Sequence, residues 1–238
     1  ETGRHTAIES VGGTLEAPPD FAVICLGTDN RIGAGNKGRL DIDVTVGGRS
    51  AHSSTPSAGI DAIDGARHCL NALKTLDLGV AASPQFGPAT LTPTAIRSGP
   101  DATHTLQDTV RMTFDRRLLP GEDPDAAFET IRAALPSGGP WTVRCARGPF
   151  MYPNDIDDSG ALMTLLRDAY RDAGLGDADT VTCNFALDAG YFGHRGIESV
   201  MLGPGEIDQF HSEEEHVRIS DMVDMARVYR ALIARALG

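Results

Sequence analysis

Apolar and polar residues alternate from Leu40 to Val46, with Leu40, Ile42, Val44 and Val46 set against Asp41, Asp43 and Thr45. A period of two predicts a strand with one wet face. Ile60, Ile63, Ala66, Leu70 and Leu73 follow at helical spacing and predict a helix over about 59–75. Residues 89–97 read as a strand, and Pro93 within them argues for an edge position. Val110, Met112 and Phe114 alternate with Arg111, Thr113 and Asp115 in another strand. Asp123-Pro124 predicts an N-cap with proline at the first helical position, opening a helix through Phe128, Ile131 and Leu135. Trp141 to Cys145 makes the last strand of this stretch. Before it, 21–26 is a continuous apolar run, read as a strand buried on both faces, followed by a glycine-rich connector over 33–38. After it, Leu162, Leu165, Leu166, Ala169, Tyr170 and Ala173 form a helical stripe closed by Gly174. Strands near 179–183 and 198–202 come next, the second ending in Gly203-Pro204-Gly205. Ser220 is read as the cap of a final helix carrying Met222, Met225, Tyr229, Leu232, Ile233 and Ala236.

The middle run is β-α-β-β-α-β, the split or ferredoxin-like arrangement. The expected fold class is therefore α/β, with a ferredoxin-like domain at 39–147 inserted into an α/β domain made of 1–38 and 148–238.

Composition narrows the partners. The 238 residues carry a formal net charge of −12, which repels phosphate backbones and argues against nucleic acid. Lys37 and Lys74 are the only lysines, so the basic charge is nearly all arginine. Cys25, Cys69, Cys145 and Cys183 are isolated, with no Cys-x-x-Cys, and read as free thiols in a reducing compartment. No apolar run approaches the ~18 residues of a membrane span, so the expectation is a cytoplasmic protein with no membrane partner.

Four segments carry candidate chemistry. His211 lies beyond a buried strand and a Gly-Pro-Gly turn, where α/β folds place ligands, and is either a metal ligand or a surface histidine in an acidic loop. His52 sits among hydroxyls in Ser50-Ala51-His52-Ser53-Ser54-Thr55 and either donates to a developing oxyanion or helps cap the next helix. Arg116 and Arg117 point to opposite faces of their strand, so one can be structural while the other grips a carboxylate. Asp188 stands at a strand-to-turn junction, as support to a metal or as a cap.

Read in order, these segments resemble the metallopeptidase and amidohydrolase family of aminoacylase, acetylornithine deacetylase, succinyl-diaminopimelate desuccinylase and glutamate carboxypeptidase. The resemblance rests on Glu1-Thr2-Gly3, Lys37-Gly38, the stretch from Gly48 to Pro56 with Gly59, Asp115-Arg116-Arg117 with Pro120-Gly121-Glu122, Asp188-Ala189-Gly190, Gly203-Pro204-Gly205, and His211 to Glu215. It implies hydrolysis of the amide of an N-acyl amino acid or small peptide bearing a free carboxylate. Two zinc ions per full-length site are implied, with cobalt or manganese as substitutes, and a homodimer formed through the 39–147 lid. On the same ground Glu1 and His211 are expected metal ligands, His52 the oxyanion donor, and Arg117, His104, Gly203 and Gly205 substrate-binding residues.

Departures accompany the likeness. Leu26 stands where the family places a ligating carboxylate, with Asp29 the nearest substitute, and His104 where it places an asparagine. The family's His-x-Asp pair and bridging aspartate have no counterpart, so the chain is expected to be the C-terminal part of such an enzyme. Two rival readings remain: a non-catalytic dimerisation and substrate-binding remnant, and a two-domain ligand-binding protein without metal dependence.

Overall fold

The computed structural model describes residues 5–14 and 16–238. Contacts divide the chain into two compact units, one of residues up to Gly38 with Met151–Gly238, the other Arg39–Phe150. The first unit opens with α1 (Thr6–Gly12), β1 (Phe21–Cys25) and β2 (Ile32–Asn36). The second holds β3 (Gly38–Gly47), α2 (Ala62–Lys74), β4 (Thr90–Gly99), β5 (Thr109–Leu118), α3 (Pro124–Ala134) and β6 (Thr142–Met151). The first resumes with β7 (Asn154–Asp155), α4 (Ala161–Asp172), β8 (Thr180–Cys183), α5 (Ala189–His194), β9 (Glu198–Leu202) and α6 (Ile219–Leu237).

In the second unit the strands lie in the order β4-β5-β3-β6, the order of a split β-α-β-β-α-β sheet. The period of two does what it predicts: Leu40, Ile42, Val44 and Val46 are all fully buried, facing Ala66 and Cys69 of α2 and Ile131 of α3 in one core. Asp61 caps α2 by accepting from the Ile63 N–H at 2.9 Å, and Asp123 caps α3 from Asp125 at 2.8 Å. β4 is an edge strand whose register slips between Pro93 and Ala95, because proline has no N–H to give the ladder. The polar side of β3 is drier than its sequence suggests. Asp41 is only 7% exposed, held by Arg39 through two 2.7 Å bonds.

The sheet of the first unit runs β1-β9-β2-β7, with β8 also paired to β2. Ile32, Val200 and Leu202 pack against Leu166 and Tyr170 of α4 and Val228 and Leu232 of α6. Several expectations are corrected here. The run at 21–26 is not buried on both faces: β1 pairs only with β9 among the described residues, and its Cys25 is exposed. The glycine-rich connector is largely a central strand, β2. A Cβ on Gly33 would lie 2.8 Å from the Met201 Cβ, so glycine here permits close strand approach rather than a loop. Ser220 lies inside α6, whose N-cap is Arg218. The short helix α5 was not expected at all, since its six residues carry too little periodicity.

Candidate functional site

The two units each carry part of the predicted chemistry. In the second unit, residues 51–55 and 104–106 run side by side: Ser53 N–H donates to the His104 carbonyl at 2.9 Å and Leu106 N–H to that of Ala51 at 2.8 Å. This pairing brings together His52 and His104, far apart in sequence, with ring centroids 5.7 Å apart and planes tilted by 48°. The His52 Nδ1 lies 2.8 Å from the Ser54 hydroxyl and accepts the Ser54 backbone N–H at 3.2 Å. A ring nitrogen that accepts from an amide carries no proton, so the neutral imidazole holds its hydrogen on Nε2. The imidazole is exposed, and Nε2 makes no hydrogen bond among the described residues. The loop is tied down by the Ser50 hydroxyl, which donates to Asp108 at 2.6 Å; with Thr109 it holds the Asp108 carboxyl below the ordinary carboxylate range. The cap role for His52 is not seen, because Asp61 caps α2.

Alternation along β5 decides between the arginines. Val110, Met112, Phe114, Arg116 and Leu118 form its buried row, so Arg116 is 1% exposed. Its guanidinium bonds to Glu122 and to the Arg117 carbonyl, while Glu122 also accepts the Leu119 N–H at 2.6 Å. Arg116 is thus a structural ion pair that folds the Leu118–Glu122 turn back onto the strand. Arg117 points the other way, and its Nε and Nη2 grip Asp115 at 2.8 and 2.9 Å. That leaves the second edge of its guanidinium, Nη1 with Nη2, for another carboxylate.

In the first unit, the Gly203–Gly205 turn packs on the loop that follows β1. A Cβ on Gly203 would sit 2.5 Å from the Leu26 carbonyl oxygen, and Gly205 has φ +100°, so both glycines are set by backbone approach and conformation. Thr28, fully buried, bonds the Arg31 carbonyl at 2.6 Å and accepts the Gly203 N–H at 3.2 Å. Asp29 is committed to the same loop, accepting the Ile207 N–H at 3.0 Å and bonding Arg31. Leu26 itself packs against Cys183 and Met201. His211 is exposed with φ +63°, and its N–H donates to Glu215 at 3.1 Å. Glu1 lies outside the described residues.

One buried imidazole was missed by sequence reasoning. His5, 4% exposed, sets Nδ1 3.1 Å from an Asp188 carboxylate oxygen while Nε2 accepts the Tyr152 N–H at 2.9 Å. The amide fixes the proton on Nδ1, toward Asp188. Asp188 makes no side-chain cap to α5, so its partner is His5 rather than the helix. Nothing in the local sequence marked His5, because its partners lie 147 and 183 residues away.

These donors do not fit a dinuclear metal centre. No group of three histidine, cysteine, aspartate or glutamate side chains suited to a metal occurs among the described residues. Asp29 has both carboxylate oxygens engaged, and leucine at position 26 has no donor. The described residues therefore do not complete a site for two metal ions.

Residues 34–143 match the M20 family's peptidase dimerisation domain. The chain is 25% identical over 231 residues to a peptidase M20 domain-containing protein of Schizosaccharomyces pombe, covering 95% of this chain and 51% of that protein. It is 28% identical over 219 residues to acetylornithine deacetylase of Myxococcus xanthus, covering 85% and 54%. The crystal structure of Bacillus subtilis YXEP, a dinuclear metal binding peptidase from the M20 family, superposes with a TM-score of 0.70 at 14% identity, over 98% of this chain and 61% of that one. The last is a likeness of fold. The chain spans about half the length of the curated relatives it matches.

Proposed function

Because the chain is an M20-family homologue carrying that family's dimerisation domain, we propose that the whole protein hydrolyses the amide of an N-acyl amino acid or small peptide with a free carboxylate. The observation that carries this reading is the fixed tautomer of His52. Its Nδ1 is held by Ser54, so an exposed Nε2–H is presented as a donor before any substrate arrives. Such a donor strengthens its bond as negative charge grows on a carbonyl oxygen, and it needs no reorganisation to do so. Arg117, steadied by Asp115, offers its open edge to the substrate carboxylate, and His104 lies beside His52 to border the same substrate. Within the first unit, Gly203 and Gly205 shape a backbone-lined turn of their own, and a substrate-binding role is proposed for them separately.

Two zinc ions, with cobalt or manganese as substitutes, belong to this reading of the whole protein, with His211 and Glu1 as ligands. Their remaining donors lie outside the described set, and no step is assigned to them. Dimerisation runs through the 34–143 domain. The isolated thiols, none in a disulfide, support a reducing compartment such as the cytoplasm. No helix among the described residues is long and apolar enough to cross a membrane. For the 238-residue chain by itself the alternative reading is a dimerisation and substrate-binding part without turnover of its own; no three-donor cluster occurs among the described residues.

The test uses the polypeptide encoded by the complete reading frame, assayed with zinc on N-acetylated amino acids and tripeptides. His52→Ala should lower kcat by about 10²-fold with little change in KM, the loss expected when one oxyanion donor is removed. Wild-type kcat in that variant overturns the role of His52. Absence of metal-dependent turnover on every substrate overturns the hydrolase reading.

A further inference from the structure

A cavity of about 360 Å³ lies within the first unit, between the end of α1, the loop at 16–19 and α5. That is the size of a small-molecule site. Pro18, Pro19, Phe192 and Ile197 give it an apolar wall, while Glu16 and Arg195 add one carboxylate and one guanidinium. Both charged residues are exposed, and neither has an ion-pair partner among the described residues. In so acidic a chain this is unusual for an arginine: Arg167, Arg171, Arg218, Arg227 and Arg235 of the same unit all hold carboxylates. Opposite charges that line one cavity without meeting leave a gap that a molecule carrying both signs can bridge.

The wall of the cavity holds another unused group. Tyr191 is 3% exposed, and its buried hydroxyl has no hydrogen-bond partner among the described residues. The hydroxyl stands against Gly12, which lines the same cavity; a Cβ at that position would come within 3.0 Å of it. A buried polar group left unpaired is costly and rare, so one at a cavity wall marks where a ligand's polar atom belongs. Arg195 is set over the same ring, its guanidinium carbon 4.6 Å from the centroid. A guanidinium stacked in this way is held in place with its N–H edges still free.

We propose that this cavity binds a free α-amino acid with an apolar side chain. The carboxylate meets Arg195, with the Tyr191 hydroxyl as a further donor, the ammonium meets Glu16, and the side chain lies on Pro18, Pro19, Phe192 and Ile197. Other small molecules use less of the site. An apolar anion leaves Glu16 without a counter-charge, and an apolar amine leaves Arg195 without one. All the lining residues belong to the first unit, and none is among those proposed above for substrate or metal. The proposal concerns binding alone, so it stands or falls apart from the hydrolase reading.

The test is calorimetric titration of the 238-residue chain, and of the product of the complete reading frame, with L-leucine. Leucine should bind saturably to both. Isocaproate lacks the ammonium, leucinamide lacks the carboxylate and glycine lacks the apolar side chain. Each should bind at least about tenfold more weakly, the loss expected when one charged hydrogen bond or one buried leucine side chain is removed. This series needs no variant. Arg195→Ala and Glu16→Gln, both at exposed positions, should each weaken leucine binding by about tenfold as well. Absence of saturable binding overturns the proposal, and so does isocaproate binding as tightly as leucine. Leucine binding that falls in Arg117→Ala and not in Arg195→Ala overturns it too, because the amino acid then sits on the second unit. Binding to the 238-residue chain that is missing from the complete product also overturns it, since other parts of the protein would then fill the cavity. Turnover is not read in any arm, so failure here leaves the hydrolase reading untouched, and an inactive product that binds leucine does the reverse.

Discussion

Arg116 shows how one residue reads differently alone and in place. By alternation it belongs to the buried row of β5, yet it carries a charge. A buried guanidinium is tolerated only when its partner is buried too, and Glu122 is 8% exposed in its side chain. Arg116→Ala leaves Glu122 uncompensated and should cost about 3–5 kcal/mol in urea unfolding, whereas Arg116→Met with Glu122→Gln should cost clearly less. An equal loss in both would mean that packing, not charge, dominates the site. Burial also acts on the thiols. The Cys183 and Cys145 thiols are pushed up to about 11 by desolvation, and the Tyr170 and Tyr229 hydroxyls are raised for the same reason. Groups whose folded pKa lies above the unfolded value favour the folded state while protonated. Their contribution is complete below pH 9.0, the ordinary thiol value, and is lost as pH climbs toward 11. Thermal unfolding followed from pH 7 to 11 should therefore show a steady Tm at first and a fall beyond about pH 9, and a rising Tm there would contradict this.

At the scale of elements, caps and glycines set where the chain turns. Asp123 satisfies two orphan N–H groups of α3, so Asp123→Ala should lower stability by about 1 kcal/mol with no change in the denaturant slope. Most strands and helices were legible because their side chains obey one local period. The exceptions share a cause. β2 reads as a connector, since Ile32-Gly33-Ala34-Gly35-Asn36 carries almost no side chain to alternate; only the close approach of Met201 makes it a strand. β1 reads as a fully buried strand because its residues are apolar, but burial depends on neighbours, and among the described residues it has one strand beside it.

For the whole molecule, the donor count leads to a measurable expectation. With no three-donor cluster among the described residues, equilibrium dialysis of the 238-residue chain against zinc should leave fewer than one tightly held ion per chain. Two retained ions would mean that residues outside the described set complete a centre. The α/β class, the inserted β-α-β-β-α-β order and the presence of chemistry-bearing histidines and arginines were all legible along the chain, because periodicity, capping and residue type are local quantities. Long-range packing was needed to establish that His52 meets His104, that Ser54 chooses the tautomer of His52, that Arg116 rather than Arg117 is the buried arginine, and that His5 is held by Asp188 and Tyr152. Hydrogen-bond direction and burial are properties of what folds against a residue, and here those partners come from as far as 183 positions away.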